Sequence, residues 1–251
     1  MSLIDILAGS DAPPTDPKMY GVAVGRVANT LDPLALGRVQ VEIPVLGGLS
    51  AWARVATPAA GLASGFYWIP NVEDEVLVAF EQGDIRRPYV VGGLYNGVDT
   101  PKAGPTDIVD SGSGEINRRS FVSRRGHRLD FLDQSGKTEG VTIRTGDDKL
   151  QLLMDATGTK LTVHSDGTVL VEAKQGVTVD AASSTVELKG GDIKLTGQNG
   201  VTIDGGGGAV KVTAGSELSL TGLSAKLEGS TQAEVKGGAT CSISAGLVRI
   251  N

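Results

Sequence analysis

From Leu161 to Asn251 the chain repeats one short pattern: an apolar residue, a polar one, an apolar one, then a polar or glycine-containing turn. The leading pairs are Leu161/Val163, Val169/Val171, Val177/Val179, Val186/Leu188, Ile193/Leu195 and Val201/Ile203. They continue as Val210/Val212, Leu218/Leu220, Ala225/Leu227, Ala233/Val235 and Cys241/Ile243, eleven units whose starts lie 7 to 9 residues apart. Residues two apart share one face of a strand, so each pair points one way. The residue between them (Thr162, Thr178, Lys194, Thr202, Lys211, Lys226, Glu234) points the other way, with Leu170 as the exception. Thr, Gly and β-branched residues dominate and no 3.6-residue period appears, so the unit is not helical. A unit of this length holds one strand of about four residues and a turn, too little to bury its own apolar face. The strands must stack into a β-helix.

A β-helix closed by one chain takes about twenty residues per coil. These shorter units cover one face of a triangular prism, and three chains wound together would supply all three faces and close the strand edges. The fold expected is therefore all-β, ending in an intertwined homotrimeric β-helix on the order of 50 Å long at about 4.8 Å per strand. The residues expected in the trimer core are Val163, Val171, Val179, Leu188, Leu195, Ile203, Val212, Leu220, Leu227, Val235, Cys241 and Ile243.

Composition fits a thin repetitive body better than one large core: 36 glycines, 4% aromatic residues and three methionines in 251 residues. A net charge of −6 argues against general affinity for nucleic acid. Cys241 is the only cysteine, which excludes an intrachain disulfide and a thiolate metal cluster. No apolar run approaches the ~20 residues of a membrane span. The start, MSLIDILAGSDAPPTDPK, lacks a basic n-region and a long apolar stretch, so a protein made in the cytoplasm without a signal peptide is expected.

Residues 1–17 read as an N-terminal arm, a short apolar patch followed by a Pro-rich tail. Residues 18–97 change to short strands separated by turn residues: YGVAVGRVAN, GRVQVEI, WARVA, EVLVAFE and PYVVGGL. Five strands in about eighty residues fit a small barrel of the OB type, with Trp52, Phe66, Tyr67, Trp68 and Phe80 expected to fill its core. Residues 98–117 are rich in Pro, Gly, Ser and Asp and read as a linker. Residues 118–160 form a collar and entry to the β-helix. Arg118, Arg119, Arg124, Arg125 and Arg128 crowd its start, with Asp130 and Asp133 as candidate partners.

The barrel segment carries Asp32-Pro33, Gly37-Arg38-Val39, Trp52 with Arg54-Val55, Pro70, Glu73-Asp74-Glu75-Val76, Gly83-Asp84 with Pro88, and Gly92 to Gly97. In this order and at these spacings it resembles the OB domain of contractile-tail spike proteins, the baseplate assembly protein V family of tailed phages and the VgrG proteins of type VI secretion. Where that family usually has Gly-Asp-Glu-Val, this chain has Glu73 in the glycine's place. Arg125-Gly126-His127-Arg128 resembles the family's Ser-Gly-His-Arg segment at the entry to its needle, and GLVRIN resembles the ending of VgrG needles. The resemblance implies a homotrimer with its barrels under a baseplate hub, the hub being a separate protein. It further implies a PAAR-type tip protein on the other end, contacting Val248, Ile250 and Asn251, and transient contact with a target cell envelope. The particle would be a phage tail, a tailocin or an extracellular contractile injection system, and the role mechanical.

Chemistry is otherwise sparse. His127 and His164 are far apart, and no histidine follows His164 to make the His-x-His iron site with which some spikes of the family close their tip. Glu73-Asp74-Glu75 is a turn of repelling carboxylates without a pocket signature. Gly205 to Gly208 lacks the Lys-Ser/Thr of a phosphate loop. No catalytic residue, cofactor or metal is expected. A polysaccharide-degrading β-helix would want longer coils, aromatic sugar platforms and paired carboxylates. A receptor-binding trimeric fibre would want a head after the repeat.

Overall fold

The structure, a computed structural model, describes residues 18–101, 104 and 106–249. The N-terminal arm of residues 1–17 and the positions Ile250 and Asn251 lie outside the described residues. The chain divides into two units, Met1–Val171 and Glu172–Asn251.

The first unit opens with β1 (Val22–Asn29), β2 (Val39–Ile43) and β3 (Leu49–Val55), then a minimal hairpin of β4 (Ala60–Gly61) and β5 (Ser64–Gly65), then β6 (Glu75–Phe80) and β7 (Pro88–Gly93). The five longer strands are those read from sequence, and they close a barrel in the order β1-β2-β3-β7-β6. β3 and β7 pair in parallel and the other neighbours antiparallel. Strict alternation drives the closure. Val39, Val41 and Ile43 of β2 are fully buried, as are Val76 and Val78 of β6, while the residues between them face outward. Closing on itself, the barrel leaves no free edge. Gly25 sits where the core is tightest, since a Cβ there would lie 3.1 Å from methyl groups of both Val41 and Val78.

The aromatic expectation needs correction. Phe80 is in the core, but Phe66, Tyr67 and Trp68 are exposed on the loop before β6. Trp52 is half-buried on the outside of β3, with the Arg38 guanidinium 5.7 Å above its ring. Strand parity is the reason: the inward residue is Ala53, next to Trp52, and a barrel this narrow is filled by valines.

Past the barrel, residues 106–117 have ordered local structure despite their linker-like composition. The Asp110 carboxylate accepts the N–H groups of Gly112 and Ser113, and Val109 bridges to Ile116. These bonds hold the Asp110 carboxyl below the usual carboxylate range, the Ser113 N–H most of all.

The strands β8 (Arg118–Val122), β9 (Arg128–Gln134), β10 (Thr138–Arg144), β11 (Leu150–Asp155) and β12 (Lys160–Ser165) then form an antiparallel meander. Lys160–Ser165, the first unit of the sequence repeat, is thus the fifth strand of this sheet.

In the second unit no strand is assigned among the described residues. The period is nevertheless visible as extended backbone. Glu187 pairs with Lys189 at 2.8 Å, and Lys226 with Glu228 and Glu234 with Lys236 are paired likewise. Residues two apart meet on one side only in an extended chain, and each pair straddles an expected core residue: Leu188, Leu227 or Val235. The turns recur too. A Cβ on Gly197, Gly229 or Gly237 would fall 2.1 to 2.2 Å from the carbonyl oxygen three residues later, so each corner admits glycine alone.

Candidate functional site

The sheet of β8–β12 has two unlike faces. Register places Phe121, Leu129, Ile143, Leu152 and Val163 side by side on one face, with Phe131, Val141, Met154 and Leu161 in the adjacent row. This apolar face is open on a single chain: Phe121 is 48% exposed, Ile143 48%, Leu161 65% and Val163 60%. At the barrel side it meets Phe66 and Trp68, stacked at 6.1 Å, with Phe121 6.1 Å from Phe66 and 6.5 Å from Trp68. Sequence alternation locates the apolar rows. The aromatic cluster is not legible there, because it joins a loop of the barrel to a strand more than fifty residues later.

The opposite face is largely polar, and its centre, at Arg118, Asp130, Leu132 and Thr142, is buried. Asp130 is fully buried and accepts hydrogen bonds from Ser120 Oγ at 2.6 Å and Thr142 Oγ1 at 3.3 Å, with Arg128 Nε 3.2 Å away. Thr142 and Arg118 are each 4% exposed. Gly104 lies against the Arg118 guanidinium with no room for a side chain. A buried carboxylate with this many partners is held in one place, and it fixes the register of β8, β9 and β10 together.

The five collar arginines do not form one cluster on a single chain. Arg118 and Arg128 are on the polar face. Arg119 is on the other face, where its Nη1 donates to Asp133 at 2.6 Å. Arg128 reaches both Asp130 and Asp148, each at 3.2 Å. Arg124 and Arg125 occupy the β8–β9 turn, exposed. His127 accepts the Gly146 N–H at Nδ1, 3.1 Å, tying this turn to the one between β10 and β11.

The expected trimer-core residues of the repeat are laid open. Val171, Val179, Leu188, Leu195, Ile203, Val212, Leu220, Leu227, Val235 and Ile243 are 65% to 83% exposed, and Cys241 is a free, exposed thiol. Val248 is 47% exposed. Among the described residues no group of three His, Cys, Asp or Glu could hold a metal ion, and no helix is long and apolar enough to cross a membrane.

In the barrel the Asp32 carboxylate, 4% exposed, accepts the N–H groups of Leu34, Leu36 and Arg38 and the Arg38 guanidinium at 2.7 Å. Arg38 above all holds its carboxyl far below the usual carboxylate range. The loop so pinned presents Leu31, Leu34 and Leu36 to solvent. Glu73 adopts φ +76°, the left-handed conformation that its sequence position calls for, and pairs with Arg26 Nη1 at 2.6 Å.

The motif residues of the barrel all lie close to or within residues 23–95, which match the model of the type VI secretion system/phage-baseplate injector OB domain. The chain is 27% identical over 193 residues to the actin cross-linking toxin VgrG1 of Vibrio cholerae, covering 73% of this chain and 17% of the relative. It is 30% identical over 134 residues to the type VI secretion system spike protein VgrG3 of Vibrio cholerae, 51% of this chain and 13% of the relative. It is 39% identical over 88 residues to the spike protein VgrG1a of Pseudomonas aeruginosa, 35% of this chain and 14% of the relative. The chain thus spans less than a fifth of the length of these relatives. Residues 23–95 form an OB domain of the phage-baseplate V and type VI secretion injector type, and the chain is distantly similar to the VgrG spike proteins.

Proposed function

We propose that three copies of this chain assemble into the central spike of a contractile injection machine, a non-enzymatic part that transmits the thrust of contraction to a target cell envelope. The observation that carries this reading is the open apolar surface of the single chain, both on the β8–β12 sheet and along the repeat. Burying a Val, Leu or Ile side chain contributes about 1.5–3 kcal/mol. The ten exposed repeat residues from Val171 to Ile243 therefore amount to roughly 15–30 kcal/mol per chain of burial still to be gained. Their backbone groups also lack ladder partners, which neighbouring chains would supply.

A second and third copy fit this surface better than an unrelated partner does. Each copy brings the same period, the same glycine corners and the same outward ion pairs, so three equivalent strands close each level of a prism in register. The resulting triple-stranded β-helix would have no free edges except at its ends, which suits a part loaded along its axis. The proposed partners are a baseplate hub protein at the barrel end and a PAAR-type tip protein contacting Val248, Ile250 and Asn251. The protein would reside in the baseplate of a phage tail, a tailocin or a related particle.

Light scattering or native mass spectrometry of the purified chain tests the core of this reading. The expected mass is three times the 25.8 kDa of one chain. A folded species with the mass of one chain would overturn it. Removing residues 246–251 is expected to abolish capture of a PAAR-type protein while leaving the trimer intact.

A further inference from the structure

Arg124 and Arg125 sit at the tip of the β8–β9 hairpin, in a turn closed by the Gly126 N–H on the Ser123 carbonyl at 2.8 Å. Both are exposed, and neither makes an ion pair or side-chain hydrogen bond to another described residue. They border a cavity of about 680 Å³. Arg118 and Arg128, from the polar face of the sheet, also line this cavity, but Arg128 is paired with Asp130 and Asp148, so Arg124 and Arg125 carry its unpaired positive charge. No carboxylate is among the described residues that line it. The nearby acids are already engaged: Arg128 meets Asp130 and Asp148 at 3.2 Å each, and Asp130 also accepts from Ser120 and Thr142.

Arg124 and Arg125, side by side at the rim of a concave, partly apolar space, raise the local concentration of anions there. In a chain of net charge −6 this focus of positive charge is a local exception. A guanidinium fork matches a carboxylate bidentately, and exposed forks without partners are poised for such a contact. The remaining wall includes Tyr95, Pro101 and Ile108. Those side chains can pack on the aliphatic parts of a polypeptide.

We propose that this groove binds an acidic segment of a partner polypeptide, whose Asp or Glu carboxylates are held by Arg124 and Arg125 while its apolar side chains lie against Tyr95, Pro101 and Ile108. The groove opens on the polar face of β8 and β9, opposite the apolar face that copies of the chain would cover. The proposal is argued from the groove of a single chain and stands apart from the assembly reading.

Fluorescence anisotropy with the full-length protein and a fluorescein-labelled Glu-Asp-Leu-Glu-Asp-Leu peptide tests it, with Gln-Asn-Leu-Gln-Asn-Leu as the uncharged control. The acidic peptide should bind saturably, and the control should not. Affinity should fall as NaCl rises from about 50 to about 300 mM, where screening shortens to a few ångströms. The double substitution R124A/R125A should weaken binding at least tenfold, while R86A/R87A, which removes the same charge from the barrel surface, should change it less than twofold. Equal loss in both double variants, or no saturable binding, would overturn the proposal. Displacement of the peptide by inorganic phosphate, at concentrations where NaCl of equal ionic strength leaves it bound, would overturn the polypeptide assignment in favour of a phosphate site.

Discussion

Asp32 and Glu73 show how single side chains hold this barrel's loops. Asp32 bonds to three backbone N–H groups and the Arg38 guanidinium, and its folded carboxyl titrates far below the ordinary value. A depressed carboxyl contributes stability that is fully present above the unfolded pKa, near 3.9, and is lost as pH falls toward the folded one. Asp32→Asn should therefore lower the melting temperature at pH 7, and the gap to the parent protein should narrow progressively below about pH 4. Equal melting temperatures at pH 7 would refute the role given to Asp32. Glu73 is held at φ +76°, where a side chain costs about 1–2 kcal/mol that glycine avoids. Its ion pair with Arg26 is half-exposed and offsets little of that cost. Substitution by Ala and by Gly both remove that pair, so comparing the two isolates the backbone cost. Glu73→Gly should be more stable than Glu73→Ala by about 1 kcal/mol in urea unfolding, and equal values would argue against the left-handed turn.

The β8–β12 sheet makes the sharper test at the level of elements, because its faces are inverted relative to a soluble sheet. Asp130→Ala should destabilise the first unit by about 3 kcal/mol, since it strips a fully buried partner from Arg128 and leaves Ser120 and Thr142 without their acceptor. Ile143→Lys on the other face should leave the first unit folded and abolish the proposed assembly, because an ammonium among apolar rows that other copies would cover is costly. Circular dichroism together with light scattering separates the two outcomes. The same sheet shows what sequence can and cannot say. Leu129/Phe131, Val141/Ile143 and Leu150/Leu152 announce a common face by alternation alone, and the five barrel strands follow from the same rule. Alternation does not reveal which face is covered: Asp130 reads as an outward residue between two apolar ones, yet it is fully buried. Nor does composition show that residues 106–117 fold, since their order comes from the Asp110 turn and a single bridge. Aromatic content alone points Phe66 and Trp68 to a core, whereas the narrow barrel is filled by valine and both stay exposed.

For the molecule as a whole, the repeat ties every outer feature to the same closure. Each unit offers an apolar pair, an outward polar residue and a corner, and the ion pairs Glu187/Lys189, Lys226/Glu228 and Glu234/Lys236 sit on the outward side. In the later units the leading positions shrink to Ala225, Ala233 and Cys241, so chains wound together could approach one another more closely there. Cys241 is exposed on the single chain, and in the proposed triple-stranded β-helix its thiol would be enclosed near its two symmetry mates. Solvent access governs how fast a thiol reacts with a bulky reagent. Labelling with a maleimide should therefore be slow in the native assembly and become fast only when denaturant separates the chains. The two transitions should coincide, because an eight-residue unit has no way to enclose Cys241 within its own chain. Rapid stoichiometric labelling of a species whose mass is three chains would place Cys241 on the outside, and the inward parity assigned to the last units would then be wrong.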